Sequence, residues 1–145
     1  MIPFKLDFKD FNCLNTEYSI IPISNSNIEQ RYTLISSSIE HFNAEIEWRG
    51  MFNFGEAMNR IKSGMTMYVG VIDNDVFGYV WFKDYKDGRL LFNLFVRNKV
   101  SNKSYTGKEF TSDIINRYEY DKNIYCEVDE WNEKSIKLFK RLGFK

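Results

Sequence analysis

Cysteine, proline and histidine are nearly missing from this chain, which has two Cys, two Pro and one His among its 145 residues. Cys13 and Cys126 are too few for a disulfide framework, and His41 stands in no ligand-like spacing with them, so no metal site is expected. Pro3 and Pro22 are the only prolines, and no repeat, low-complexity tract or Pro/Gly-rich stretch marks a linker. Residues 1–145 therefore read as a single domain. Net charge is missing too, because 20 Lys and Arg stand against 20 Asp and Glu. Without a positive excess there is no general attraction to a phosphate backbone, and nucleic acid is not an expected partner. No apolar run approaches the ~18 residues that cross a bilayer, so no membrane partner is expected. "MIPFKLDFKDFN" shows neither the basic region nor the cleavage site of a secretory leader, which makes the cytoplasm the expected location.

What is abundant is apolar and aromatic: 43% hydrophobic residues, with 13 Phe and 9 Tyr. A chain of this length buries roughly two-thirds of the surface it exposes when unfolded, which suffices for one core. "EYSIIPIS" reads as a strand whose Pro22 belongs at a sheet edge. In "SNSNIEQRYTLISSSIEHF", Ile28, Tyr32, Ile35, Ile39 and Phe42 recur every three or four residues after cap-type Ser and Asn, which predicts a first helix. "FGEAMNRIKSG" predicts a second, with Phe54, Ala57, Met58 and Ile61 on one face and Gly64 free to turn left-handed at its end. From Met65 the period becomes two: "TMYVGVI", "VFGYVWF" and "RLLFNLFV" are split by the turn stretches "DND" and "DYKDG" and predict an antiparallel meander. "YTGKEFTSDIINRYEY" then predicts a third helix with Phe110, Ile114, Ile115 and Tyr118 inward, followed by the strand "NIYCEV". A strand, helix, strand passage after a meander makes the last two strands parallel neighbours.

The chain closes on "IYCEVDEWNEKSIKLFKRLGF", a strand running into Asn132, a short amphipathic helix and Gly143-Phe144. With the order β, α, α, β, β, β, α, β, α, this segment resembles the GNAT superfamily of acyl-CoA dependent N-acyltransferases. The resemblance covers most of the chain and implies an α+β fold: a mostly antiparallel twisted sheet with a splayed parallel strand pair and flanking helices. It implies acetyl-CoA as co-substrate and a primary amine, of a small molecule or a protein, as acceptor. A second family signature, a glycine-containing loop opening the third helix, aligns with "NKSYTGK" and is eroded: Asn102 and Tyr105 replace two pattern residues, and Gly107 is kept.

In such a loop, backbone N–H groups at a helix N-terminus bind pyrophosphate. The resemblance therefore assigns Asn102, Lys103, Tyr105, Thr106, Gly107 and Lys108 to the cofactor, with Arg97 and Lys99 as supporting cations. Leu94, Phe95 and Val96 would hold the thioester and pantetheine through backbone groups, and Asn132 and Phe139 would line the pantetheine arm. Phe139 stands where many members carry the tyrosine that protonates the departing thiolate, so another hydroxyl, Tyr105 or Tyr125, is expected to take that part.

On the predicted last strand, Tyr125, Glu127 and Asp129 alternate away from Ile124, Cys126 and Val128. An ammonium must lose a proton before attack, so Glu127 is the candidate base; its plainer reading is a solvent-facing strand residue. Glu45 and Glu47 are alternatives, and Trp48, Phe52 and Phe54 fall where the family builds its acceptor site, although core packing explains them equally. Family members usually continue past Gly-Phe into further strands. Here "FKLDF" is expected to cover the open edge, or a second copy to pair there as a homodimer. The alternative to an enzyme is a GNAT-like module that binds a partner or ligand without turnover.

Overall fold

The computed structural model describes residues 2–5, 17–37, 54–97, 100, 105–128 and 130–144. Its strands are β1 (Ile2–Lys5), β2 (Ser19–Ile23), β3 (Thr66–Ile72), β4 (Asp75–Tyr85), β5 (Gly88–Val96) and β6 (Asn123–Val128). They form one sheet in the order β1-β6-β5-β4-β3-β2, antiparallel except for the β5–β6 pair. The helices are α1 (residues 32–37, entered through a 3-10 turn at Ile28–Arg31), α2 (Phe54–Lys62), α3 (Gly107–Ile114) and α4 (Glu133–Arg141). The expected α+β class, the meander and the parallel pair are all present.

The local chemistry accounts for the turns. Asp73 and Asn74 between β3 and β4 both have positive φ, 50° and 62°, the left-handed pair of a two-residue hairpin that matches strand twist. Pro22 sits on the edge strand β2, where its missing N–H breaks no inner ladder. Gly64 at φ 104° ends α2. β4 runs three residues beyond the expected "VFGYVWF", through Lys83-Asp84-Tyr85, because the β4–β5 turn tightens onto Lys86 and Asp87, with Lys86 at φ 48°.

Both sheet faces are covered, which is why Val76 to Phe82 are all buried and not alternately so. On one face Phe77, Val80, Phe82, Leu91 and Cys126 meet Phe110 and Ile114 of α3 and Phe139 of α4. On the other, Met67, Val69, Tyr79, Trp81 and Phe95 meet Ile28, Ile35 and the α2 residues Ala57, Met58 and Ile61. Phe54, expected on that inner face, is 38% exposed and lies edge-on to Tyr32.

The third helix departs from a uniform 3.6 period. After Ile114 it widens into a π-turn at Ile115–Glu119, and the shift carries Glu119 inward to 1% exposure. There Tyr68 Oη donates to Glu119 Oε1 (2.7 Å), and Arg89 Nε stands 3.4 Å from Oε2.

β1 lies antiparallel along the outer edge of β6, from Ile2↔Val128 to Lys5↔Tyr125. Phe4 and Lys5 of the expected "FKLDF" cover lie in this strand, residues 6–8 lie outside the described residues, and the β6 edge that motivated a homodimer is taken by β1.

Gly88 opens the parallel ladder opposite Asn123, and a methyl there would stand 2.0 Å from the Asn123 carbonyl oxygen, a backbone atom that cannot swing aside. Gly88→Ala is expected to lower stability by about 2 kcal/mol, within the range of overpacked sites. Urea unfolding checks this, and an unchanged midpoint would show that β5 and β6 part there at little cost.

Candidate functional site

Parallel pairing of β5 with β6 runs from Gly88↔Asn123 to Leu91↔Cys126 and stops, although β5 continues to Val96 and β6 to Val128. The cause is on β5. Its register with β4 slips between Trp81 and Phe82, which face Asn93 and Leu91, so Phe92 is the extra residue of a bulge. A bulge bends and further twists its strand, and this one falls at the residue where the ladder ends. From Phe92 onward β5 stays with β4, pairing Leu94 with Val80, Phe95 with Tyr79 and Val96 with Gly78. Its other edge faces the divergence, and that edge carries the backbone groups assigned above to thioester and pantetheine.

The helices that border the divergence come from the two sequence signatures. Asn132 caps α4, its Oδ1 accepting the Ser135 N–H (3.2 Å). The helix ends in a Schellman turn, with Gly143 at φ 97° and the Phe144 N–H reaching back to the Phe139 carbonyl (3.0 Å). Phe139 itself is buried in the core against Phe144, their rings 5.4 Å apart.

Thr106 caps α3, its Oγ1 accepting the Glu109 N–H (3.0 Å) while its carbonyl takes the Phe110 N–H (3.1 Å). The Gly107 and Lys108 N–H groups are those that a helix start leaves for an external acceptor. Gly107 also has a packing reason to be glycine: an added methyl would come within 3.1 Å of Leu138 and 3.2 Å of Leu94. Leu94, Ile136 and Leu138, all partly buried, give the divergence apolar walls that suit a pantetheine arm.

The pyrophosphate end is less hospitable. Tyr105 packs its ring on Tyr18 and Phe77 (4.8 and 4.9 Å) and directs its hydroxyl to Glu17 (3.2 Å). Its pKa is raised, first by desolvation and then by Glu17, with the charges of Glu109 and Asp73 adding to the effect. Arg97, expected to assist phosphate binding, is turned to the β3–β4 hairpin, where Nη1 meets Asp75 (3.2 Å) and the Val76 carbonyl (2.9 Å). Lys108 is exposed beside the cap. Asn102, Lys103 and Lys99 lie outside the described residues, as do Glu45, Glu47, Trp48, Phe52 and Asp129. The residues present thus fit the acyl-pantetheine part of the co-substrate better than its phosphates.

On β6, Tyr125 and Glu127 are half-buried and alternate with buried Ile124, Cys126 and Val128, as expected. Glu127 is the first β6 residue past the ladder, at the mouth of the divergence. Tyr85 Oη donates to its Oε1 (2.8 Å), a bond between residues 42 apart. Tyr125 Oη instead donates to Asp87 in the β4–β5 turn (2.5 Å), at the paired end of the strands. That bond raises the Tyr125 pKa and lowers that of Asp87, so the Tyr125 proton is held at Asp87. Lys86 lies over the rings of both Tyr85 and Tyr125 (5.1 and 5.6 Å), and Lys5 over Tyr125 (5.7 Å).

Tyr85 and Asp87 were not among the expected site residues. Continuing the period-two pattern through "KDY" would have put Lys83 and Tyr85 on the Trp81 face, whereas nothing local to Tyr85 points to Glu127.

Comparison with known proteins returns no matching family model and no matching curated protein. Solved structures do match. An aminoglycoside acetyltransferase from an uncultured soil metagenomic sample, in complex with sisomicin, is 12% identical, with 87% of each chain covered and a TM-score of 0.61. A GNAT-family acetyltransferase from Streptococcus agalactiae is 18% identical over 92% of this chain and 88% of that one, with a TM-score of 0.62. A PaiA N-acetyltransferase from Thermoplasma acidophilum, in complex with coenzyme A, is 17% identical over 88% and 89%, with a TM-score of 0.55. At such identities the likeness is one of architecture, and together with the splayed strand pair it establishes that this chain has the GNAT fold, in a sequence-divergent form.

Proposed function

We propose that the protein is an acyl-CoA dependent N-acetyltransferase acting on a primary amine. One observation carries this reading: the β5–β6 ladder ends at Leu91↔Cys126 beside a bulge, and the next β6 residue is a carboxylate held by Tyr85. The free β5 edge from Phe92 to Val96 would align the thioester by backbone hydrogen bonds, so that positioning and polarisation supply most of the rate. Glu127 would take the proton of the acceptor ammonium. The amine nitrogen then bonds to the acetyl carbonyl carbon, the C–S bond breaks, and the thiolate takes up a proton to leave as free CoA.

The test is calorimetric titration of the whole chain with acetyl-CoA, alongside Tyr105→Gly, followed by assay of thiol release with a panel of amines. Binding in the micromolar range with amine-dependent thiol release is expected. Absence of binding by the native chain would overturn the reading. A second reading, a GNAT-like module that binds a partner without turnover, has its own observation in Tyr105, whose ring packs on Tyr18 and Phe77 and whose hydroxyl meets Glu17 just before α3. It predicts acetyl-CoA binding by Tyr105→Gly alone. Cytoplasmic location belongs with the enzyme reading as an expectation; among the described residues no helix is long and apolar enough to cross a membrane.

A further inference from the structure

Two tyrosine hydroxyls on the sheet face that carries Glu127 donate to carboxylates, and they serve different ends. Tyr125 Oη is engaged by Asp87 (2.5 Å), an exposed turn residue that also accepts Asn123 Nδ2 (3.0 Å) from β6. Tyr85 Oη goes to Glu127 Oε1 (2.8 Å), and among the described residues Glu127 has no other hydrogen-bond partner. Nothing among those residues therefore holds Oε2.

Tyr85 is itself braced. Its ring stands edge-on to that of Tyr125 (5.4 Å, planes 62° apart), and Lys86 lies over both rings (5.1 and 5.6 Å). The Asp87 bond pins the Tyr125 ring, so the turn residues, the two rings and Asn123 tie the β4–β5 hairpin to β6. This brace exists because β4 runs on to Tyr85 and the chain turns directly after it, with Lys86 at φ 48°.

A half-buried glutamate on a strand face has three rotatable bonds to order, whereas a tyrosine has two, and one with a packed ring is a rigid donor. The hydrogen bond passes the order of the brace to the carboxylate, fixing Oε1 and thereby setting where Oε2 points. A base misplaced by about 1 Å costs on the order of a hundredfold in rate, so such an anchor matters. We infer that Tyr85 is a positioning residue, which holds the Glu127 carboxylate through Oε1 so that Oε2 meets the acceptor ammonium. This rests on the acyltransferase reading for what Glu127 does, whereas the contact itself stands without it.

The test uses the full chain and has two arms. Without any ligand, carbon NMR of protein labelled at the glutamate carboxyl carbons reads the contact: the Glu127 signal, assigned by its loss in Glu127→Gln, is expected to move in Tyr85→Phe and to stay in place when the exposed Tyr120 is changed, in Tyr120→Phe. With acetyl-CoA and the amine of the panel that releases thiol fastest, Tyr85→Phe is expected to lower kcat about tenfold or more at unchanged acetyl-CoA affinity. In a Glu127→Gln background the same change should have no further effect, because there is no base left to aim. Tyr85→Phe keeps the ring and its packing, and thermal melts verify the fold. A Glu127 signal that does not move, a native kcat in Tyr85→Phe, or an equal loss in both backgrounds each overturns the proposal, the last by assigning Tyr85 to the fold alone. Thiol release that is indifferent to Tyr85→Phe would leave the acyltransferase reading standing. Absence of thiol release from the native chain with every amine would remove that reading and the positioning role together, even where the NMR arm shows the contact.

Discussion

Arg89→Leu is expected to lower the unfolding free energy by about 3 kcal/mol, which for a chain of this size moves the thermal midpoint by on the order of 10 °C. Arg89 is the junction of four elements: its guanidinium meets Asp84 (2.8 Å), Thr66 (3.0 Å) and Glu119. Asp84 is 91% exposed at its side chain and contributes little, as surface pairs do. Glu119, 2% exposed at its side chain, is the member that matters. Without Arg89 its buried charge keeps the Tyr68 hydroxyl and the half-exposed Lys122 (3.3 Å), and neither replaces a guanidinium.

Removing one partner of a buried pair leaves a charge with insufficient compensation, whereas replacing both by apolar groups is often close to neutral. Arg89→Leu combined with Glu119→Leu should therefore melt nearer to the native protein than Arg89→Leu does. Chemical and thermal unfolding of the three proteins decide it. A double variant less stable than the single one would show that the pair stabilises the π-turn beyond mere mutual compensation.

Glu127→Gln is expected to reduce kcat by about a hundredfold or more, the scale of a lost general base, with acetyl-CoA affinity unchanged. The amide keeps the volume and the acceptor oxygen for Tyr85 but cannot take a proton from an ammonium. Glu127 sits past the end of the β5–β6 pairing and its side chain is outside the core, so the fold should be untouched, as thermal melts would verify. If the loss is in acceptor KM at constant kcat, Glu127 binds the acceptor and does not deprotonate it. A rate that recovers as pH rises toward the pKa of the acceptor amine would confirm the missing step as proton removal, because unprotonated amine is then supplied by solution.

Much of the architecture was readable because its causes are local. The switch from period 3.6 to period 2 at Met65, the turn residues Asp73-Asn74 and the Gly143-Phe144 stop each act within a few residues of chain. The candidate site was readable in part, since alternation along "NIYCEV" suffices to put Tyr125 and Glu127 on one face. The Phe92 bulge was not readable, because a bulge is a property of two strands in register, and the β5 sequence by itself does not reveal where β4 slips against it. Tyr85 escaped notice for the same reason.

Residue type in a motif also proved a weak guide to use. Asn132 caps α4, Gly107 lets α3 approach Leu94 and Leu138, and Arg97 serves the β3–β4 hairpin. Each is a structural duty that the same residue would perform with or without a co-substrate.

The amino-acid sequence by itself determined most of the elements and their order, because hydrophobic period, caps and turns are short-range interactions, whereas the splay of the last two strands was an expectation of the family resemblance. The tertiary structure decided which groups meet: Tyr85 with Glu127, Tyr125 with Asp87, and β1 with β6. These contacts join segments tens of residues apart, and strand register, helix phase and one bulge set them through packing of the whole sheet.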